Sequence, residues 1–238
     1  MDLKNIYIVL SHPEESRNVG AVCRAMANSG ITHLRIVGKR EDFDDERVRI
    51  LAIHAAYIWE NAEFFDSVTA AVADCFCAAG TTRRRGKKRK GKLLLPEEFT
   101  AEIQKVDGNA AIVFGNERTG LTDEELEECT IGVTIPSDAD FASLNLSHAV
   151  QILCYHVFRA AEKPSAGYTP VSLQRLSRTI TTIGDDLQKI GFFSVTGRHD
   201  MEEFWRMILS RAAISEGEAK YIEKIFDKAA GLATKAKN

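Results

Sequence analysis

Two short apolar runs, Ala110–Phe114 and Ile131–Ile135, each stop abruptly at a polar loop that packing alone does not explain. The first gives way to Gly115-Asn-Glu-Arg-Thr-Gly120, the second at Pro136 to Ser137-Asp-Ala-Asp-Phe-Ala-Ser-Leu-Asn145. Apolar runs of this length bounded by Gly and Pro read as strands buried on both faces of a parallel sheet. Open parallel sheets bind ligands just beyond the carboxyl ends of their strands, which is where both loops are expected to lie.

The rest of the chain as far as residue 162 fits the same architecture. Ile6–Leu10, Leu34–Gly38 and a run near 75–79 read as further strands. Helical patterns lie at Arg17–Ser29 with Gly30 as its stop, near Val48–Tyr57, at Ser67–Ala73 and at Leu146–Ala161. Alternating strands and helices argue an α/β fold whose parallel sheet is covered on both faces. Beyond Glu162 only helical patterns remain. Leu173, Leu176, Ile180, Ile183, Leu187 and Ile190 form a heptad seam, which could pack within a small module, on the first domain or across a dimer. Thr169 with Pro170 reads as the start of that helix, and Asp200 with Glu203 and Ser215 with Glu218 read as capping boxes of two more. The expected division is residues 1–163 for the α/β domain and 164–238 for a helical extension.

Charge is sharply segregated. Residues 83–92 hold eight basic side chains in ten positions, and the other 23 Lys and Arg face 34 Asp and Glu. A like-charge block can be a plain solvated loop. This one is internal and directly follows the strand near 75–79, so Arg84, Arg85, Lys87, Lys88, Arg89 and Lys90 are candidates for contact with a polyanion such as RNA. Cysteines 23, 75, 77, 129 and 154 lack C-x-x-C spacing and read as buried thiols, with Cys75 and Cys77 sharing one strand face. The histidines show no metal-ligand spacing, so no metal is expected. Neither a secretory leader nor a membrane span is legible, which points to a cytoplasmic protein.

Neither polar loop is a phosphate cradle: G-x-G-x-x-G and G-x-x-x-x-G-K-[ST] are both missing. A nucleotide-like ligand here need not carry phosphate, and S-adenosylmethionine meets that description.

Three segments carry a resemblance. Asn18-Val-Gly-Ala-Val-Cys-Arg-Ala-Met26, Ile112-Val-Phe-Gly-Asn-Glu-Arg-Thr-Gly-Leu121 and Ile135-Pro followed by Ser143-Leu-Asn-Leu-Ser-His-Ala-Val150 resemble the three motifs of the TrmH-like (SpoU) RNA ribose methyltransferases of the SPOUT class, in order and at compatible spacing. Gly80-Thr-Thr-Arg83 and the helical tail from Tyr168 are similar to the TrmJ-type tRNA enzymes within it. The resemblance implies a parallel sheet with a carboxyl-terminal trefoil knot, a homodimer, S-adenosylmethionine as methyl donor, and 2′-O-methylation of tRNA at the first nucleotide of the anticodon loop. Ribosomal RNA is an alternative substrate, and a non-catalytic RNA-binding protein an alternative class.

Carried over residue by residue, the family's donor contacts fall on Thr81, Thr82, Arg83, Gly115, Ile135, Ala142, Ser143 and Leu144. Its reacting-site residues fall on Asn18, Arg24, Glu117, Ser143 and Asn145. A guanidinium is a poor proton acceptor, so Arg24 is expected to hold the target phosphate and favour the ionised hydroxyl electrostatically. Glu117 is expected to orient Arg24 or the substrate. Asn18 either caps its helix or contacts RNA, and Ser143 and Asn145 either cap the last helix or reach the reacting groups.

Overall fold

The computed structural model describes residues 1–83, 93–138, 140, 143–161, 169–194 and 197–236. The strands are β1 (Ile6–Ser11), β2 (His33–Val37), β3 (Glu63–Phe65), β4 (Cys77–Thr81), β5 (Leu93–Leu94), β6 (Ala110–Phe114) and β7 (Ile131–Val133). They form one sheet in the order β3-β2-β1-β6-β4-β7-β5, every pairing parallel. The helices are α1 (Ser16–Ala27), α2 (Asp45–Ala52), α3 (Ala56–Glu60), α4 (Val68–Ala71), α5 (Pro96–Ile103), α6 (Asp123–Glu127), α7 (Leu146–Ala161), α8 (Leu173–Lys189), α9 (Arg198–Ala212) and α10 (Glu216–Ala236).

Successive strand residues alternate between two apolar layers, as a pleated strand requires. Ile6, Ile8 and Leu10 join Val22, Met26, Val150 and Leu153 on one face, whereas Val9, Ala111 and Val113 join Val68, Leu121 and Leu126 on the other. With helices on both faces, β6 is wholly buried and β1 is buried except at Tyr7, which explains their unbroken apolar runs. Each fully buried Ile contributes about 2 kcal/mol of transfer free energy. At Gly80 in β4 an added Cβ would stand 2.7 Å from Leu126 and 2.9 Å from the Cys129 sulfur. Glycine there lets α6 close onto the sheet.

Several local expectations change. The helix expected across 48–57 breaks at Ile53, whose φ is +52°. The break turns the chain back so that Trp59 is fully buried while its indole N–H donates to Asp45 at 2.6 Å. β4 begins at Cys77, so Cys75 lies before it and packs in the layer opposite Cys77 rather than sharing its face. All five thiols are buried. Burial pushes Cys23 and Cys154 up to about 12 and Cys77 to about 11, far from reactive thiolates.

α8 begins at Leu173 with Ser172 as its cap, while Pro170 pairs with Ser215 instead of opening the helix. Its seam forms the core of the helical part: Leu176, Ile180, Ile183 and Leu187 pack with Met201, Leu209 and Ala219. The start of α8 is also tied to the sheet domain, since the amides of Leu173 and Gln174 donate to Cys75 and Ala73 carbonyls at 2.7 and 3.2 Å. The Ser215–Glu218 capping box forms. That of Asp200 with Glu203 does not, because Arg198 pairs with Asp185 and Glu202 and α9 starts two residues earlier, at Arg198.

Candidate active site

The carboxyl ends of β1 and β6 lie side by side, but their connections diverge: β1 leads through α1 to β2, and β6 leads through α6 past β4 to β7. Such a divergence opens a crevice at the strand ends. The loops that fill it are the polar ones singled out by the sequence.

A cavity of about 210 Å³ lies there. Its walls come from the ends of β4, β6 and β7 and the start of α7, and it brings together Thr81, Thr82, Arg83, Gly115, Ile135, Ser143 and Leu144 from the expected donor contacts. Ala142 and the basic residues Arg84, Arg85, Lys87, Lys88, Arg89 and Lys90 lie outside the described residues. Thr81 Oγ1 donates to the Val113 carbonyl at 2.9 Å and the Thr82 amide to the Val133 carbonyl at 2.9 Å, locking the mouth of β4 between its two neighbours. Phe114, Leu121, Val133 and Leu146 supply apolar walls. The loop from Gly115 to Gly120 closes on itself: Gly120 N–H donates to the Asn116 carbonyl at 2.8 Å, and Gly120 has φ +68°. A Cβ on Gly115 would sit 2.1 Å from the backbone of Gly120 and Leu121, so only glycine permits this closure.

Beside the cavity, one hydrogen-bonded chain joins the three motif segments. Asn145 Nδ2 donates to Asn18 Oδ1 at 3.1 Å, and Asn18 Nδ2 donates to Glu117 at 2.9 Å. Glu117 also accepts the amides of Glu14 at 2.9 Å and Glu15 at 3.3 Å, where a carboxylate suits the amino end of α1. Asn145 Oδ1 accepts the Ser147 amide at 2.9 Å, so Asn145 caps α7 and reaches α1 with its other arm. Asn18 is not the cap of α1: it lies within the first turn, because Glu15 occupies the cap position. Glu117 is engaged with Asn18 and the backbone of 14–15, not with Arg24.

Arg24 is exposed on α1, about 9 Å beyond Asn18 at 1.5 Å per residue. It shares a face with Asn28, whose amide donates to Gln151 of α7 at 3.4 Å, so it lies along the α1–α7 seam. Its guanidinium has no partner among the described residues. Ser143 is exposed at the cavity rim. Asn116, Arg118 and Glu14 were not among the expected site residues. Asn116 Nδ2 donates to the His12 carbonyl at 3.0 Å and to Glu14 at 2.9 Å, and Arg118 pairs with Glu14 at 2.8 Å. The signal for Asn116 and Arg118 in the sequence is adjacency to Glu117 within one glycine-bounded loop; Glu14 carries none.

Known proteins are similar to this chain in sequence and fold. An archaeal tRNA (cytidine-2′-O-)-methyltransferase TrmJ from Methanocaldococcus jannaschii is 37% identical over 155 residues, covering 64% of this chain and 67% of that one. The tRNA (cytidine/uridine/adenosine-2′-O-)-methyltransferase TrmJ of Pseudomonas aeruginosa is 32% identical over 241 residues, 94% of this chain and 93% of its own. Among solved structures, TrmJ from Z. mobilis ZM4 superposes with a TM-score of 0.75 at 27% identity, covering 94% and 98% of the two chains. A probable methylase family protein of Haemophilus influenzae superposes with a TM-score of 0.64 at 30% identity over both full lengths. Residues 5–155, which span the whole sheet and the Asn145–Asn18–Glu117 chain, match the SpoU rRNA methylase family, and the protein belongs to that family.

Proposed function

We propose that the protein transfers a methyl group from S-adenosylmethionine to a ribose 2′-hydroxyl of tRNA. The observation that carries this reading is the hydrogen-bonded chain from Asn145 through Asn18 to Glu117, set beside a phosphate-motif-free cavity at the strand ends. A relative that aligns over nearly the whole chain is a tRNA 2′-O-methyltransferase by name, which favours tRNA over ribosomal RNA.

The residues present suit a nucleoside ligand. Apolar walls from Phe114, Leu121 and Ile135 would take a base, and the polar backbone of the glycine loop would take its sugar and amino-acid ends. When bound, S-adenosylmethionine supplies a methyl group already activated on a sulfonium. What remains for the protein is alignment of the hydroxyl and removal of its proton. Arg24, without a side-chain partner among the described residues, would clamp the target phosphate and stabilise the developing alkoxide. The Asn145–Asn18–Glu117 chain would fix α1, and hence Arg24, against α7. Ser143, at the rim, would face the ribose.

The proposal extends to a homodimer completing the site, a knotted domain over 1–163, a helical RNA-binding extension over 164–238, a cytoplasmic location and methylation at the first nucleotide of the anticodon loop. It also assigns Arg84, Arg85, Lys87, Lys88, Arg89 and Lys90 to the tRNA backbone. Incubation with labelled donor and total RNA, followed by mapping of the modified nucleotide, tests the core of it. A 2′-O-methyl group in tRNA is expected; label confined to ribosomal RNA, or to a base, would refute it. Replacing Arg24 with Ala should abolish transfer while leaving donor affinity unchanged, and full activity in Arg24→Lys would rule out a bidentate phosphate contact.

A further inference from the structure

The loop over the cavity and the turn before α1 hold each other by contacts that run both ways. In one direction, Glu117 accepts the amides of Glu14 and Glu15. In the other, the Glu14 carboxylate uses both oxygens: Oε1 accepts from Asn116 Nδ2 at 2.9 Å and Oε2 forms an ion pair with Arg118 Nε at 2.8 Å. Asn116 then sets the loop's own shape, because its Oδ1 accepts the Arg118 amide at 2.8 Å and its carbonyl accepts Gly120 N–H. Asn116, Arg118 and Thr119 all line the cavity.

We propose that Glu14 is a positioning residue for the methyl donor, acting through Asn116 and Arg118 to hold the 116–120 loop in the shape that walls the cavity. This rests on the reading that the donor binds in that cavity. A purely stabilising role is a poor account of the pair. The Glu14 and Arg118 side chains are 40% and 80% exposed, and ion pairs so open to water contribute little to folding. What the clasp does fix is geometry, on a segment with few apolar anchors of its own. It also joins the cavity wall to the turn that leads into α1.

Calorimetric titration with S-adenosylmethionine is the primary measurement. Glu14→Ala, which removes a hydrogen bond and an ion pair, should weaken donor binding about tenfold, and Arg118→Ala about threefold. Because the two act through one contact, the double variant should bind no more weakly than Glu14→Ala. Arg118→Lys, which keeps the charge beside Glu14, should recover most of the affinity. In the turnover assay the loss should fall on the KM for donor and leave the KM for tRNA unchanged, with the melting temperature close to that of the parent.

Parental donor affinity in both single variants would overturn the proposal. So would a loss of tRNA affinity alone in Arg118→Ala, which would make Arg118 an RNA contact. Leu144→Arg, which drives a cation into the cavity from the opposite wall, separates this failure from failure of the donor-site reading. If Leu144→Arg abolishes donor binding while the clasp variants do not, the clasp proposal alone falls. If none of the three changes it, the donor binds elsewhere and both fall. Should Glu14→Ala lose its fold, Arg118→Ala on the exposed loop decides the matter by itself.

Discussion

Two polar clusters bridge segments far apart in the chain, and they are built on opposite principles. In the helical part, Arg175 of α8 donates to Glu223 at 2.7 Å and to Glu216 at 3.0 Å, and Thr179 joins at 2.7 Å from Glu223, pinning α10 to α8. Charge is answered by charge. At the cavity, Glu117 is held by two amides and an asparagine, with no cation against it among the described residues. The first cluster is internally satisfied and serves packing; the second keeps an unneutralised carboxylate beside the cavity wall.

The sharpest way to break this contrast is to remove the charge at the cavity and keep the shape. Glu117→Gln leaves one acceptor for the α1 amides and turns an N–H₂ toward groups that are themselves donors. It is expected to lower kcat about 100-fold, the scale of misalignment in a pre-organised site. Circular dichroism and melting temperature should stay near parental values. An unchanged kcat would mean that Glu117 is only a helix-end acceptor, no different in kind from the Arg175 cluster.

A smaller effect is expected from Gly115→Ala. Its new Cβ would overlap the backbone of Gly120 and Leu121, which are not free to move as a side-chain tip would be. The loop must open, so donor binding should weaken more than tenfold, by the steric logic of overpacking at a fixed backbone. Parental affinity measured by calorimetry would show that loop closure and donor recognition are independent.

How much of this was legible beforehand follows from how local each signal is. β1 and β6 were readable because a strand buried on both faces is apolar almost throughout, and Ile6–Leu10 and Ala110–Phe114 meet that condition. β3 and β5, of three and two residues, carry no such run. The break at Ile53 was illegible because the contact it permits, the Trp59–Asp45 bond, spans 14 residues. The two capping boxes look alike in sequence, yet only Ser215–Glu218 forms; Arg198, engaged by Asp185 on another helix, overrides the other. At the site, motif positions pointed to Asn18, Glu117 and Asn145. That these three bond to one another, and that Glu14 grips Asn116 and Arg118 about a hundred positions away, depends on β1 lying next to β6 and could only come from the assembled sheet.

The smallest expected effect sharpens the comparison from the side of the helical part. Arg175→Met removes the cation while keeping an apolar stem. It should lower the melting temperature by a few degrees and leave donor affinity untouched, since the Arg175 cluster does not line the donor cavity. Its pH dependence is the diagnostic. The Arg175 guanidinium, hydrogen-bonded to both, holds Glu223 and Glu216 below the ordinary glutamate value of 4.5. Carboxylates with depressed values stabilise the fold above the unfolded value, and that contribution is lost as pH falls through the folded ones. The parent protein should therefore lose stability as pH drops below about 4.5, through protonation at these two glutamates. In Arg175→Met the depression is gone, so the difference in melting temperature between variant and parent should shrink as the pH is lowered through that range. A difference that stays constant with pH would assign the stabilisation to the packing of the Arg175 stem instead of its charge.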